Sequence, residues 1–192
     1  TCNAAILKSD AFRKATPYLE PRLEIVELPF EGKTLVGYLQ LPPGVKTPPV
    51  VLHWGGVDGW KEDRQRASAV LHRAGLATLT VDMPGTGENP VLYGDAAAER
   101  TYSAWIDHLA QRTDVDGSRI GVWGGSFGGY WAALLAVTEK TRLRAVVAQS
   151  PPIHESFARE RTMRLAANRE YLFDYVPAQL HTYAGATTLE QL

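Results

Sequence analysis

Short apolar runs alternate with amphipathic stretches from residue 20 to residue 150, and this alternation predicts strands separated by helices. Glu31-Gly32 is a short polar turn between the first two runs, so these two strands are expected to form a hairpin. The run at 50–54 is typical of a strand that is covered on both faces. The predicted strands lie at residues 23–30, 33–41, 50–54, 76–81, 118–125 and 144–148.

Helices are predicted where apolar residues recur with the 3.6-residue period. Residues 1–20 predict a short helix that ends at Pro21, and further helices are predicted at 61–74, at 95–112 and directly after Ser126. The apolar positions expected to face the core are Ala67, Val70, Leu71 and Ala74 in one helix, and Ala98, Tyr102, Trp105, Ile106 and Leu109 in the next. The histidines of the same helices, His72 and His108, are expected to be exposed.

Strands that alternate with helices predict an α/β fold with a mostly parallel sheet and helices on both of its faces. In such sheets the ligand binds beyond the carboxyl ends of the strands. Three loops, at 53–60, 82–88 and 124–128, are predicted to meet at that edge.

Composition and charge narrow the classes of partner. The chain has 192 residues, 45% of them hydrophobic, which suits one soluble domain with a sizeable core. The net charge of -1 gives no electrostatic basis for binding nucleic acid or an anionic membrane. Cys2 is the only cysteine, so we expect neither an internal disulfide nor a thiolate metal site. Because no apolar run approaches the ~20 residues of a membrane span, a cytoplasmic location is expected.

Ser126 lies in the sequence Gly124-Gly-Ser-Phe-Gly128, between a predicted strand and a predicted helix. A G-x-S-x-G pattern is short and occurs by chance, but a strand before it and a helix after it are the surroundings of a nucleophile elbow. Glycine is needed on both sides because a Cβ atom would collide with the neighbouring backbone. A helix N-terminus also favours negative charge that develops on a bound oxygen. Ser126 is therefore predicted to be a catalytic nucleophile.

Attack by a serine on an acyl carbon creates an oxyanion, which needs about two preorganised donors. The N–H of Phe127, the residue after the nucleophile, is one predicted donor. The other is predicted to be the N–H of Val57, in the loop at 53–58 that follows the third strand. A plain Gly-Gly turn between a strand and a helix is the alternative interpretation of this loop.

The acid and the base that a serine nucleophile needs are harder to place. They follow the serine in the chain order Ser, then Asp or Glu, then His. Asp174 and His181 keep this order, but they leave no room for the strands that usually carry the two groups. We therefore expect the acid and the histidine beyond Leu192 or in a second chain, so that this stretch alone lacks a complete triad. His154 is interpreted as a polar residue at a junction between a loop and a helix.

Other charged residues near the same edge are open to two interpretations. Asp82 begins a turn-forming sequence, and its loop is interpreted as a wall of the site rather than as a source of catalytic groups. Glu155 is a candidate for contact with the substrate. Four arginines are expected to lie on a solvated helix face, with recognition of a carboxylate or phosphate as the alternative, and they are Arg159, Arg161, Arg164 and Arg169.

Three segments together resemble the α/β-hydrolase superfamily. They are Val122-Trp-Gly-Gly-Ser-Phe-Gly-Gly129, Trp54-Gly-Gly-Val-Asp58 followed by Lys61-Glu62, and Asp82-Met-Pro-Gly-Thr-Gly-Glu88. Within the superfamily they are most similar to the branch that contains 2,6-dihydropseudooxynicotine hydrolase and the fermentation/respiration switch esterase. The resemblance, over residues 11–155, implies an α/β-hydrolase fold that is incomplete at both ends. It divides the chain into a remnant of an N-terminal helical cap or linker (1–20), the hydrolase core (21–150) and a helical, lid-like segment (151–192).

The same resemblance implies a function. Members of the branch use a serine nucleophile in a Ser-Asp-His triad without a metal or organic cofactor, and they cleave esters or carbon–carbon bonds next to a carbonyl. For this chain it implies a serine hydrolase that forms an acyl-enzyme on Ser126 with a small-molecule acyl substrate. A homodimer, or a second chain that completes the fold, is the expected assembly. The alternative is a binding or regulatory module that retains the hydrolase fold without turnover.

Overall fold

One six-stranded sheet organises the computed structural model, which describes residues 3–92, 95–154, 158 and 160. The strands are β1 (Leu23–Phe30), β2 (Lys33–Gln40), β3 (Pro49–Trp54), β4 (Ala77–Val81), β5 (Asp116–Gly125) and β6 (Leu143–Gln149). They lie in the order β1-β2-β4-β3-β5-β6. The pairs β1/β2 and β2/β4 are antiparallel, whereas β3/β4, β3/β5 and β5/β6 are parallel. The predicted α/β class with a mostly parallel sheet is confirmed.

The described helices alternate with the strands along the chain. They are α1 (Asn3–Ala15), α2 (Gln65–Arg73), α3 (Arg100–Gln111) and α4 (Phe127–Thr138), and short 3-10 helices lie at Thr16–Tyr18 and Lys61–Arg64. The predicted helix at 61–74 therefore opens with a 3-10 turn before it becomes α2. The one predicted at 95–112 begins later than expected, at Arg100, because the chain forms turns from 96 to 99.

The hairpin between β1 and β2 turns on Glu31 and Gly32, as the sequence predicts. Both residues have positive φ, 48° and 72°, and Phe30 pairs with Lys33 across the turn. Two residues with positive φ give a turn whose twist matches the right-handed twist of the two strands. The hairpin supplies the antiparallel edge of the sheet.

The core lies where α3 packs against the sheet. All the positions predicted to face inward at 95–112 are buried. Gly37 on β2 permits the close approach, because a Cβ there would lie 3.1 Å from the Trp105 ring and 3.0 Å from Leu79. Full burial of a large apolar side chain stabilises a fold by roughly 1.5–3 kcal/mol. His108, on the same helix, is partly buried rather than exposed.

The face that α2 buries differs from the predicted one. Val70 is 55% exposed, whereas Ser68 and His72 are buried. Ser68 Oγ lies 3.1 Å from His53 Nε2 on β3, and His72 Nε2 lies 2.9 Å from Thr78 Oγ1 on β4. The strands thus offer polar partners, and buried polar groups require such partners. The predicted apolar stripe through Val70 and the predicted exposure of His72 are both wrong.

Candidate active site

Ser126 is the single residue between β5 and α4, and its backbone is strained. Its φ of 53° and ψ of -128° lie in a region that residues other than glycine rarely adopt, at a cost of roughly 1–3 kcal/mol. Its N–H donates to the Gln149 carbonyl at 2.9 Å, and its carbonyl accepts from the Gly129 N–H at 2.8 Å. These two bonds hold the turn, and the residue is exposed at the carboxyl end of β5.

Glycines occupy the tight positions around this turn. A Cβ on Gly124 would lie 2.0 Å from the Gly128 carbonyl oxygen, and a Cβ on Gly128 would lie 2.1 Å from the Gly55 carbonyl oxygen. The indole N–H of Trp54 donates to the Gly128 carbonyl at 2.9 Å. This bond connects the end of β3 to the first turn of α4, so the two segments that the sequence singles out are in direct contact.

The loop after β3 passes beside the side chain of Ser126. A Cβ on Gly56 would lie 2.8 Å from Ser126 Cβ and 3.0 Å from its Oγ. A bond of 3.3 Å from the Gly59 N–H to the Gly56 carbonyl shapes the loop. Val57 follows Gly56, Phe127 follows Ser126, and both are partly buried against the core. The structure therefore brings Ser126, Val57 and Phe127 into one region, while their chemical roles stay predictions.

The side chain of Asp82 is only 3% exposed and faces inward, although its loop lies at the same edge. Its carboxylate accepts hydrogen bonds from the Lys61 backbone N–H at 2.9 Å, the Lys61 ammonium at 2.7 Å and the Glu88 backbone N–H at 2.9 Å. With these partners the carboxylate is not open to a ligand. The sequence does not predict a role for Lys61. The only local sign of one is its position after the glycine loop, in one of the three segments that resemble the α/β-hydrolase superfamily.

His53, at the end of β3, is buried and uncharged. Its Nε2 lies 3.1 Å from Ser68 Oγ, and its ring stacks on Trp123 with 5.8 Å between centroids. Burial, reinforced by the positive charge of Arg64, lowers the pKa of His53 to about 3. The hydrogen bond of its Nε2 goes to Ser68, and a pKa this low makes His53 a weak base.

Several predicted residues lie outside the described part of the chain, namely Glu155, Arg159, Arg161, Arg164, Arg169, Asp174 and His181. His154 is described, and it is exposed with a φ of 51°. Among the described residues, no group of three or more His, Cys, Asp or Glu side chains could hold a metal ion. In the same part of the chain, no helix has the length and apolar character needed to span a bilayer.

Known proteins match most of this chain. The family model "Esterase FrsA-like" matches residues 1–184. Esterase FrsA from Vibrio cholerae serotype O1 is 30% identical over 178 residues, which are 92% of this chain and 42% of that protein. Esterase FrsA from Yersinia pestis is 30% identical over 164 residues, or 84% of this chain and 40% of that protein. The chain thus spans about two fifths of the length of these curated relatives.

Solved structures share the fold. 2,6-Dihydroxy-pseudo-oxynicotine hydrolase superposes with a TM-score of 0.71 at 27% identity, over 94% of this chain and 52% of that one. AbyA5 superposes with a TM-score of 0.68 at 26% identity, over 93% of this chain and 50% of that one. The α/β-hydrolase fold expected from the sequence is confirmed. Since the family model covers nearly the whole chain and the sequence relatives agree with it, this chain belongs to the FrsA-like esterase family of the α/β-hydrolase superfamily.

Proposed function

We propose that this protein is a serine hydrolase in which Ser126 forms an acyl-enzyme on an ester, or on a compound with a carbon–carbon bond next to a carbonyl. The observation that carries the proposal is the exposed, strained Ser126 with the backbone of Gly56 beside its hydroxyl. Strained backbone is retained mainly where function requires it. Membership in an esterase family supports the same class of reaction.

In the proposed reaction, the Oγ of Ser126 bonds to the acyl carbon, and its proton passes to a base outside the described residues. The carbonyl oxygen of the substrate becomes an oxyanion. The leaving group then takes the proton and departs, so that the acyl group remains on Ser126. Water, deprotonated by the same base, attacks the acyl carbon. The bond from that carbon to Oγ breaks, Oγ takes the proton from the base, and the carboxylic acid is released. No metal or organic cofactor enters the proposed reaction.

We propose the N–H groups of Phe127 and Val57 as the donors to the oxyanion. Phe127 opens α4, where the helix dipole favours an anion. Val57 directly follows Gly56, whose backbone lies against the hydroxyl of Ser126. One preorganised donor of this kind lowers the barrier by about 2.7–4 kcal/mol.

A fluorophosphonate probe tests the nucleophile, because it bonds covalently to an activated serine. In the full-length protein we expect labelling that Ser126→Ala abolishes. Ser150→Ala is the matched control, since Ser150 is also exposed, also has positive φ (50°) and directly follows the neighbouring strand β6. We expect Ser150→Ala to be labelled like the wild type. Labelling that survives Ser126→Ala would refute the assignment of the nucleophile.

A binding module that keeps the hydrolase fold without turnover is the second candidate. It is favoured by one observation: within the described residues, no histidine is hydrogen-bonded to the Ser126 hydroxyl. A folded full-length protein that binds acyl compounds but is neither labelled nor able to hydrolyse p-nitrophenyl acetate would support this candidate over the hydrolase.

A further inference from the structure

Lys61 is almost completely buried, with 1% of its side chain exposed. Its ammonium contacts three carboxylates, those of Glu88 at 2.6 Å, Asp82 at 2.7 Å and Glu62 at 3.1 Å. Burial lowers the pKa of Lys61, but the carboxylates outweigh burial and raise the pKa above its usual range. A buried charge is tolerated only when it is paired and hydrogen-bonded, as it is here.

Asp82 binds Lys61 at two points. One carboxylate oxygen accepts the backbone N–H of Lys61, and the other accepts its ammonium. The loop after β4 wraps around the same carboxylate, because Glu88 donates its backbone N–H to it. Gly87, with a φ of 51°, permits this wrapping, since a Cβ there would lie 2.2 Å from the carboxylate. Lys61 is thereby attached to the end of β4 through both its backbone and its side chain.

This attachment fixes the far end of the loop that passes Ser126. The near end is fixed by the bond from the Trp54 indole to the Gly128 carbonyl. Between these two points, residues 55–60 include three glycines, at 55, 56 and 59. Glycine backbones have the greatest conformational freedom in the unrestrained chain. One internal bond, from the Gly59 N–H to the Gly56 carbonyl, shapes the loop, and its position relative to Ser126 depends on its two fixed ends.

We propose that Lys61 is a positioning residue. Its ion pair with Asp82 holds the loop at 55–60 at the distance from Ser126 at which the Val57 N–H can donate to the oxyanion. The inference rests on the proposed function, and it assigns Lys61 no contact with the substrate. A displacement of about 1 Å at a catalytic group can reduce the rate about 100-fold. Loss of the ion pair should therefore affect turnover more than substrate affinity.

The test compares Lys61→Met with Arg112→Met in the full-length protein. Arg112 is a matched control because it also bonds two carboxylates, Glu24 and Asp114, within 2.9 Å, at the end of α3 rather than beside the loop. For hydrolysis of p-nitrophenyl acetate, we expect Lys61→Met to lower kcat about 10- to 100-fold with KM within about 3-fold. The rate of fluorophosphonate labelling should fall by a similar factor. Arg112→Met should keep both rates within about 3-fold.

Lys61→Met leaves Asp82 buried without its counter-ion, which can prevent folding. The double variant Lys61→Met/Asp82→Asn removes the most deeply buried ion pair, while Glu88 keeps Arg13 and Glu62 keeps the Tyr38 hydroxyl as hydrogen-bond partners. The same loss of kcat is expected for it. Circular dichroism checks that each variant is folded. A folded variant of either kind with the wild-type kcat overturns the inference, and so does failure of both to fold, which would assign Lys61 to stability alone.

Ser126→Ala, measured in parallel, distinguishes failure of the proposed function from failure of the positioning role of Lys61. If Ser126→Ala retains hydrolysis and labelling, the proposed function itself fails. If Ser126→Ala is inactive while Lys61→Met behaves like Arg112→Met, only the positioning role of Lys61 fails.

Discussion

The elbow at Ser126 and the loop after β3 lie against each other, yet different forces hold them. The elbow is fixed by steric contact, because a methyl group on Gly124 would reach within 2.0 Å of a carbonyl oxygen. The far end of the loop is fixed by charge, because the buried ammonium of Lys61 lies 2.7 Å from Asp82. The contact of Gly124 with Gly128 lies within the elbow itself, and the contact of Gly128 with Gly55 joins the elbow to the loop without any charge. The ion pair joins segments 21 residues apart.

The two regions should respond differently to change. A steric constraint fails when volume is added and is indifferent to charge. A buried ion pair fails when one partner is removed, since the other is left without compensation for its lost hydration. Substitutions that add a methyl group and changes of pH therefore probe the two regions separately.

The largest expected effect is at Gly128. In Gly128→Ala, the added Cβ would lie 2.1 Å from the Gly55 carbonyl oxygen, so backbone must move apart and the Trp54 bond is strained. We expect a loss of about 3 kcal/mol or more in the free energy of unfolding, measured with urea. Gly125→Ala is the control, because its Cβ would find its nearest neighbour at 4.0 Å, and we expect little change. Equal stability of the two variants would contradict the steric account of the elbow.

The next effect is on reactivity, at the contact between the two regions. In Gly56→Ala the added Cβ would lie 2.8 Å from Ser126 Cβ, so the serine side chain must shift. We expect fluorophosphonate labelling to slow about 100-fold, with a smaller loss of stability than in Gly128→Ala. Gly121→Ala in β5 is the control, since its nearest contact would be an ordinary 3.5 Å. Normal labelling of Gly56→Ala would show that the loop does not limit the position of Ser126.

The sequence predicts the elbow well because the residues that form the turn itself are neighbours in the chain. The strand, the glycine-flanked serine and the helix are contiguous, and the hairpin at Glu31-Gly32 and the inward face of α3 also depend on near neighbours. The loop at 53–58 is predicted for the same reason. Every predicted strand within residues 23–148 is present, with boundaries that shift by at most two residues.

The polar interior could not be predicted in this way. A lysine after a loop normally indicates an exposed side chain, and Lys61 is buried only because three carboxylates from separate positions surround it. The prediction of the buried face of α2 is wrong for a related reason. Apolar periodicity cannot show that His53 and Thr78, on two different strands, provide polar partners for that helix.

The smallest expected effect is a pH dependence of the free energy of unfolding. It should arise at His53, beside the loop after β3, and not at the elbow, because residues 124–129 carry no group that titrates near neutral pH. The pKa of His53 is lowered to about 3 in the fold, against about 6.5 in the unfolded chain. The unfolded state therefore binds a proton first, and stability is lost as pH falls from about 6.5 towards 3. Between pH 7 and pH 5 this contributes a loss of about 2 kcal/mol in urea unfolding. His53→Gln keeps a hydrogen-bonding group beside Ser68 without titrating. Between pH 7 and pH 5 this variant should therefore lose about 2 kcal/mol less of its free energy of unfolding than the wild type. An equal loss in both proteins would place the acid sensitivity elsewhere, at groups such as the buried His72.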